Sequence, residues 1–206
     1  MSLISGGIRL LLVAGLLFLC ESGVAQGYKT HEIELGPEIN QIFLPVHPVG
    51  SVQYQPAIGA LIAINWRKSF GIDSSLSITP TSPISATSLA GGRLTQFFAG
   101  GRAGLSKGRL RIYGKFRPGI VSFGSAITRV GPPPQFQFFL GRLTAPAFDF
   151  GGITEIGISR RFAARYEAGD TIIRYAGRNL FFGDPPTSPE ITHNFEFGIG
   201  FMFLFH

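Results

Sequence analysis

Cysteine is almost absent from this chain: Cys20 is the only one among 206 residues. A single cysteine excludes an internal disulfide and the thiolate metal sites that use several cysteines. The four histidines are far apart in the sequence and do not form a metal-ligand spacing: His31, His47, His193 and His206. We therefore expect neither a metal nor another cofactor.

Charged residues are also scarce, at 15% of the chain, whereas soluble proteins devote about a quarter of their residues to them. The net charge of +6 could suggest a nucleic-acid partner. However, the sequence contains neither a basic helix nor the alternation of aromatic and basic residues that such binding needs. An anionic membrane surface is the expected counterpart, and nucleic acid is not.

Long apolar runs are limited to one, which lies near the N-terminus. Arg9 precedes ten apolar residues, 10–19, and the small residues Ser22, Gly23 and Ala25 follow. A positive start, a short apolar core and a small-x-small site predict a secretory signal peptide, cleaved after Ala25. The core is too short to cross a bilayer, which requires about 20 residues.

The domain prediction follows from this signal: residues 1–25 form the signal peptide, and residues 26–206 form one domain. Removal of Arg9 and Glu21 with the signal leaves the net charge at +6. Lipid attachment at Cys20 is an alternative, but Leu19 stands where lipid-attachment signals favour a small residue.

Alternation with a period of two is clearest at the end of the chain. One face of this last strand is predicted to be large and apolar throughout: Phe195, Phe197, Ile199, Phe201, Phe203 and Phe205. The opposite face carries Asn194, Glu196, Gly198 and Gly200. So continuous an apolar face is unusual for a soluble sheet, and it predicts contact with lipid.

The same alternation predicts seven earlier strands, at about 31–43, 52–65, 70–79, 93–105, 109–122, 146–158 and 162–175. Connections of two lengths alternate between them. Short turns are predicted at 66–69, 106–108 and 159–161, and long loops at about 44–51, 80–92, 123–145 and 176–191.

Short turns at one end and long loops at the other are typical of transmembrane barrels. A sheet in hydrocarbon must also close, because an open edge would leave backbone N–H and C=O groups without partners. The predicted fold is therefore all-β: an eight-stranded antiparallel transmembrane up-and-down barrel after a cleavable signal peptide. The alternative is a soluble β-sandwich or lipocalin-like barrel, which alternates too but keeps its charged face outside. The 20 phenylalanines and the distribution of charge favour the membrane barrel.

The polar faces of the predicted strands carry both signs of charge in nearly equal number. We interpret them as a charge network inside the barrel, formed by Glu32, Glu34, Glu38, Asp73, Arg102, Arg109, Arg111, Lys115, Arg117, Asp149, Glu155, Arg165, Glu167 and Glu196. Each buried charge needs a partner or water. Eight strands leave an interior that side chains fill, so no open channel is expected.

The seventh strand breaks this pattern near its end. Strict alternation from Arg165 would turn Asp170 and Arg174 outward toward lipid. One extra residue would reverse the parity and turn both charges inward. We therefore predict a β-bulge at Gly169–Asp170, where glycine tolerates the backbone conformation that a bulge needs.

The whole of the chain after the signal resembles the small eight-stranded outer-membrane barrels, such as the transmembrane domain of OmpA and OmpX. The stretches Gly114–Gly119 and Gly169–Tyr175 and the aromatic last strand carry this resemblance. The resemblance implies contact with outer-membrane lipid and lipopolysaccharide, and insertion by the barrel-assembly machinery, which reads an aromatic end. His206 in place of a terminal phenylalanine departs from the family pattern. The oligomeric state is left open.

Three functions remain for such a barrel. The first is a structural role in the membrane. The second is adhesion or ligand binding through the long loops, favoured by the apolar Phe136, Phe138, Phe139 and Leu140. The third is a lipid-modifying enzyme, which needs a histidine near a serine and an acid. No histidine stands in a recognisable nucleophile motif, so the expected protein is not an enzyme and has no catalytic residues.

Overall fold

A computed structural model describes residues 32–46, 51–67, 69–80, 90–130, 138–176 and 188–205. The predicted signal peptide and the histidines at 31, 47 and 206 lie outside the described residues. None of the described residues forms a helix that is long and apolar enough to cross a membrane.

Eight antiparallel strands form a closed barrel in which each strand pairs with the next and the last pairs with the first. Their bounds are β1 (Glu32–Val46), β2 (Ser51–Arg67), β3 (Phe70–Ile78), β4 (Ala90–Lys107), β5 (Leu110–Val130), β6 (Phe138–Gly157), β7 (Phe162–Tyr175) and β8 (Glu190–Phe205). The predicted fold class and strand number are confirmed, and β7 has the predicted bounds.

The seam between β1 and β8 closes the barrel. It runs from the pair Ile33 and Phe205 to the pair Ile42 and Glu196. Gly36 lies at a close approach of the two strands, because a Cβ atom at this position would stand 1.9 Å from the carbonyl oxygen of Phe201. A side chain at residue 36 would therefore force the strands apart.

Three tight turns join the strands at one end of the barrel, which we call the short-turn end. They connect Arg67 to Phe70, Lys107 to Leu110 and Gly157 to Phe162. In the second turn Gly108 has a φ of +62°, the left-handed conformation that two-residue hairpin turns require at their first central residue. The other connections lie at the opposite end, which we call the loop end.

Strands β5 and β6 are longer than predicted, and this corrects the predicted loop at 123–145. β5 continues to Val130 and β6 begins at Phe138, so Phe139 and Leu140 belong to a strand. The register between β5 and β6 shifts after Phe123 and again after Ile127. Each register shift interrupts the period of two. The sequence of this segment therefore predicts a loop, although the strands continue.

Aromatic side chains pack together on the outer surface near both ends of the barrel. Phe43 packs against Tyr54 and Phe195 towards the loop end, with ring centroids 5.3 and 5.7 Å apart. Trp66 stacks on Phe70 near the short-turn end, at 5.8 Å. The thirteen residues of β2 from Tyr54 to Trp66 correspond to about 30 Å along the membrane normal for a tilted strand. This matches the hydrocarbon thickness of a bilayer.

The β-bulge predicted at Gly169–Asp170 is wrong. β7 pairs without interruption with both β6 and β8, Thr171 and Ile173 are fully buried, and Arg174 is exposed on the outer surface. Arg174 pairs with Ile191, which lies nearer the loop end than Phe195 and Phe43, and there a charge lies among headgroups and costs little. Arg174 can therefore face outward at headgroup level, and the alternation of β7 does not need to change.

We expect the folded protein to resist SDS until it is heated and to change its apparent mass on a gel when boiled. A closed ladder leaves no strand edge from which the sheet can open, so unfolding should be slow. Gel electrophoresis of boiled and unboiled samples measures this, and equal mobility of the two would contradict the closed barrel.

Candidate functional site

The interior of the barrel holds the charged side chains of seven strands. Alternation along each strand turns one residue in two towards the axis. Thirteen of the fourteen residues assigned to the interior from the sequence are there, and each is at most 9% exposed: Glu32, Glu34, Glu38, Asp73, Arg102, Arg111, Lys115, Arg117, Asp149, Glu155, Arg165, Glu167 and Glu196.

Arg109 is the exception, and its assignment to the interior is wrong. It lies in the two-residue turn between Lys107 and Leu110, and it is exposed. The ladder stops at this pair, so the alternation that holds along β5 does not fix the direction of a residue in the turn.

Arg102 of β4 lies where side chains from several strands meet. Its guanidinium reaches Glu155 of β6 at 2.7 Å and Glu34 of β1 at 2.9 Å. Its Nε and one terminal nitrogen also donate to Oδ1 of Asn65, at 3.0 and 2.7 Å. The guanidinium carbon lies 4.6 Å from the centre of the Tyr113 ring, which adds a cation–π contact.

Arg117 and Lys115 of β5 bind a neighbouring group of carboxylates. Arg117 reaches Asp73 and Asp149, both at 2.5 Å, and Glu167 at 3.0 Å. Lys115 contacts Asp149 at 2.9 Å and Glu167 at 2.6 Å. Two cations thus share two of their three carboxylate partners.

Arg165 of β7 joins these two groups. It pairs with Asp73 at 2.7 Å, with Glu155 at 3.5 Å and with Glu167. Arg111 completes the set with contacts to Glu155 at 3.1 Å, to Glu34 at 2.9 Å and to Glu32 at 3.3 Å. The five cations and six carboxylates therefore form one continuous cluster across the lumen, which we call the charge network.

Glu38 and Glu196 are inside the barrel but outside the charge network. Neither has a cation within 4.0 Å among the described residues. Glu196 instead accepts hydrogen bonds from Asn40 at 2.7 Å and Thr171 at 2.9 Å. Oε1 of Glu38 has no hydrogen-bond partner in the structure and lies over Gly59. The described interior thus has eight carboxylates for five cations, and two of the three carboxylates in excess are this pair.

An apolar layer fills the interior between the charge network and the loop end. Its members are at most 2% exposed: Ile42, Leu94, Phe98, Val121, Phe123, Ala145, Ala147 and Ile173. The sequence patterns described above do not predict this layer. The sequence does contain evidence for it, because Leu94 and Phe98 have the same parity as the inward Gln96 and Arg102. The apolar residues of the opposite face make these two inward apolar residues hard to recognise.

The outer face of β8 is placed as the sequence predicts. Phe195, Phe197, Ile199, Phe201, Phe203 and Phe205 are 41–55% exposed. Isoleucine, leucine and phenylalanine side chains of the other strands are exposed beside them. A soluble sandwich or lipocalin-like barrel would bury these side chains and expose the charges, so the arrangement excludes that alternative.

His193 lies on the outer surface near the loop end, where it pairs with Asp170. Its Nδ1 is 2.6 Å from Oδ2 of Asp170, and Oδ1 of Asp170 accepts the backbone N–H of Asn194 at 2.8 Å. His193 has no hydrogen-bonded serine among the described residues. Within the described ranges, no group of acidic, histidine or cysteine side chains is arranged to hold a metal ion.

Two isosteric substitutions should show that carboxylates of the charge network contribute more to stability than carboxylates without a nearby cation. Glu155→Gln should lower the free energy of unfolding by about 3–5 kcal/mol, because three arginines lose a buried partner. Glu38→Gln should cause no loss, because an amide replaces a buried charge that has no cation. Denaturant unfolding in lipid vesicles measures both variants, and equal destabilisation by the two would contradict the proposed pairing.

Comparison with known proteins gives a likeness in structure and none in sequence. No protein-family model matches the chain, and no curated protein matches it by sequence. The crystal structure of Neisserial surface protein A is similar over 86% of this chain and 99% of that one, with a TM-score of 0.52 and 9% identity. Ail, the attachment invasion locus protein of Yersinia pestis, in complex with the heparin analogue sucrose octasulfate, is similar over 86% of this chain and all of that one, with a TM-score of 0.50 and 9% identity. The chain has the fold of the small eight-stranded outer-membrane barrels, and its apolar exterior is that of a protein that lies in the outer membrane.

Proposed function

We propose that this protein is an integral structural barrel of the outer membrane whose lumen is closed by its own side chains. The observation that carries the proposal is the filling of the interior. The charge network crosses the lumen from β1 to β7, and the apolar layer lies between it and the loop end. A barrel filled in this way holds its shape in the membrane and leaves no aqueous path for solutes.

The charge network supports a structural role because it connects strands that are not neighbours in the sheet. Arg102 of β4 joins β1 and β6, and Arg117 of β5 joins β3 and β7. These contacts cross the lumen and resist flattening of the barrel. Each member has partners in the network, so the loss of one residue leaves others buried with fewer counter-charges.

Adhesion through an apolar loop at 123–145 has less support in the structure than in the sequence. Phe138, Phe139 and Leu140 lie in β6 and pair with residues of β5. They extend the barrel wall, so they do not form a free apolar loop. Phe136 lies outside the described residues. The structural role therefore has the stronger basis, and we propose no reaction for the protein.

Contact with lipopolysaccharide and insertion by the barrel-assembly machinery belong to the same proposal. The exposed Arg142 and Arg174 near the loop end suit the phosphates of lipopolysaccharide. The aromatic outer face of β8 suits the insertion machinery. Both expectations follow from an outer-membrane location with the short-turn end towards the periplasm.

We expect negligible conductance when the purified barrel is inserted into planar bilayers. The charge network and the apolar layer together leave no continuous water column through the lumen. Single-channel recording in salt solution measures this, with a porin as the positive control. Large steady channels would overturn the closed-lumen proposal.

A further inference from the structure

Positive charge is concentrated in the three turns of the short-turn end. Arg67 lies in the first turn, Lys107 and Arg109 in the second, and Arg160 and Arg161 in the third. All five side chains are exposed. Lys68 adds a sixth basic residue to the sequence of these turns, and the segments 66–70, 106–110 and 158–162 contain no acidic residue.

The three turns lie side by side around this end of the barrel. The N–H of Gly104, next to the second turn, donates to the carbonyl of Ser69 in the first at 2.8 Å. The N–H of Gly157, at the third turn, donates to the carbonyl of Arg109 in the second at 2.8 Å. The basic side chains therefore form one continuous band, which we call the basic rim.

The acidic residues nearest this end are Glu32, Glu34 and Glu155, and they point into the lumen, where arginines neutralise them. The positive charge of the rim is thus directed outward.

The depth of the basic rim indicates its partner. Trp66 immediately precedes Arg67 and stacks on Phe70, and Phe162 immediately follows Arg161 and packs against Phe203, with ring centroids 5.1 Å apart. Aromatic rings of this kind mark the boundary between hydrocarbon and headgroups. Long basic side chains beyond that boundary extend to the level of the lipid phosphates.

We propose that the basic rim binds the headgroups of anionic phospholipids in the periplasmic leaflet of the outer membrane. This inference rests on the proposed function, because it needs the barrel in a membrane with its short turns towards the periplasm. Phospholipid is the favoured occupant because the rim lies at headgroup depth and because lipopolysaccharide occupies the opposite leaflet.

The chain contains its own probe for this site. Trp66 is the only tryptophan, is 42% exposed and lies next to Arg67. Phospholipids with brominated chains quench tryptophan on contact, so Trp66 fluorescence reports which lipid lies at the rim. The experiment reconstitutes the full chain in mixed vesicles in which either the phosphatidylglycerol or the phosphatidylcholine is brominated.

At low salt, brominated phosphatidylglycerol should quench Trp66 more strongly than brominated phosphatidylcholine at equal mole fraction. Removing charge in Arg67→Gln/Lys107→Gln should reduce this preference by about fivefold per charge. The matched control Arg142→Gln/Arg174→Gln removes two cations from the loop end and should keep the preference. In the unmodified protein, 1 M salt should abolish it, since the Debye length then falls to about 3 Å.

Equal quenching by the two lipids in the unmodified protein at low salt would overturn the inference, as would a preference that survives both Arg67→Gln/Lys107→Gln and high salt. The salt titration needs no variant, so a folding defect in the double variant cannot hide the answer. The shift in gel mobility on heating is recorded for every sample. A missing shift in the unmodified protein counts against the barrel, whereas a normal shift without lipid preference counts only against the basic rim.

Discussion

Closure of the sheet between β1 and β8 is the constraint on which the other features depend. In hydrocarbon, an open strand edge would leave backbone N–H and C=O groups without partners, and each would cost several kcal/mol. Closure at eight strands fixes a narrow circumference. At Gly36, β1 and β8 approach each other so closely that a side chain would not fit. The interior that results is wide enough for side chains and little else.

This narrow interior explains how so many charges can be buried. An isolated charge in such a space would be very unfavourable, but the charge network gives each cation at least two carboxylates. The apolar layer closes the same space towards the loop end. Charged side chains therefore lie inside and apolar side chains outside, the reverse of a soluble protein. The apolar outer surface is compatible with lipid, and the packed side chains close the lumen to solutes.

The sequence predicts the features that depend on alternation alone. In β1, Ile33 and Leu35 alternate with Glu32 and Glu34, and the structure places the two pairs outside and inside the barrel. Parity cannot show which carboxylate each arginine meets. Arg102 and Glu34, for example, come from strands that are not adjacent in the barrel, so only the closed three-dimensional arrangement defines their contact.

The wrong predictions have a common cause, which is that alternation carries no information on depth or on the ends of a ladder. Asp170 and Arg174 face outward near the loop end, where headgroups accept charge, so β7 needs no bulge. Arg109 lies in a turn where alternation no longer applies. The register shifts after Phe123 and Ile127 interrupt the alternation within a continuing strand, so the sequence predicts a loop there.

The central claim is that β8 has one face towards lipid and the other towards a packed interior. Spin labels attached one at a time at residues 195–203 test it most directly, because residues 26–206 contain no native cysteine. In lipid vesicles, oxygen should relax the labels at 195, 197, 199, 201 and 203, and labels at the even positions should be poorly accessible to both oxygen and a water-soluble nickel complex. Access of the nickel complex to the odd positions, or no alternation at all, would contradict the account.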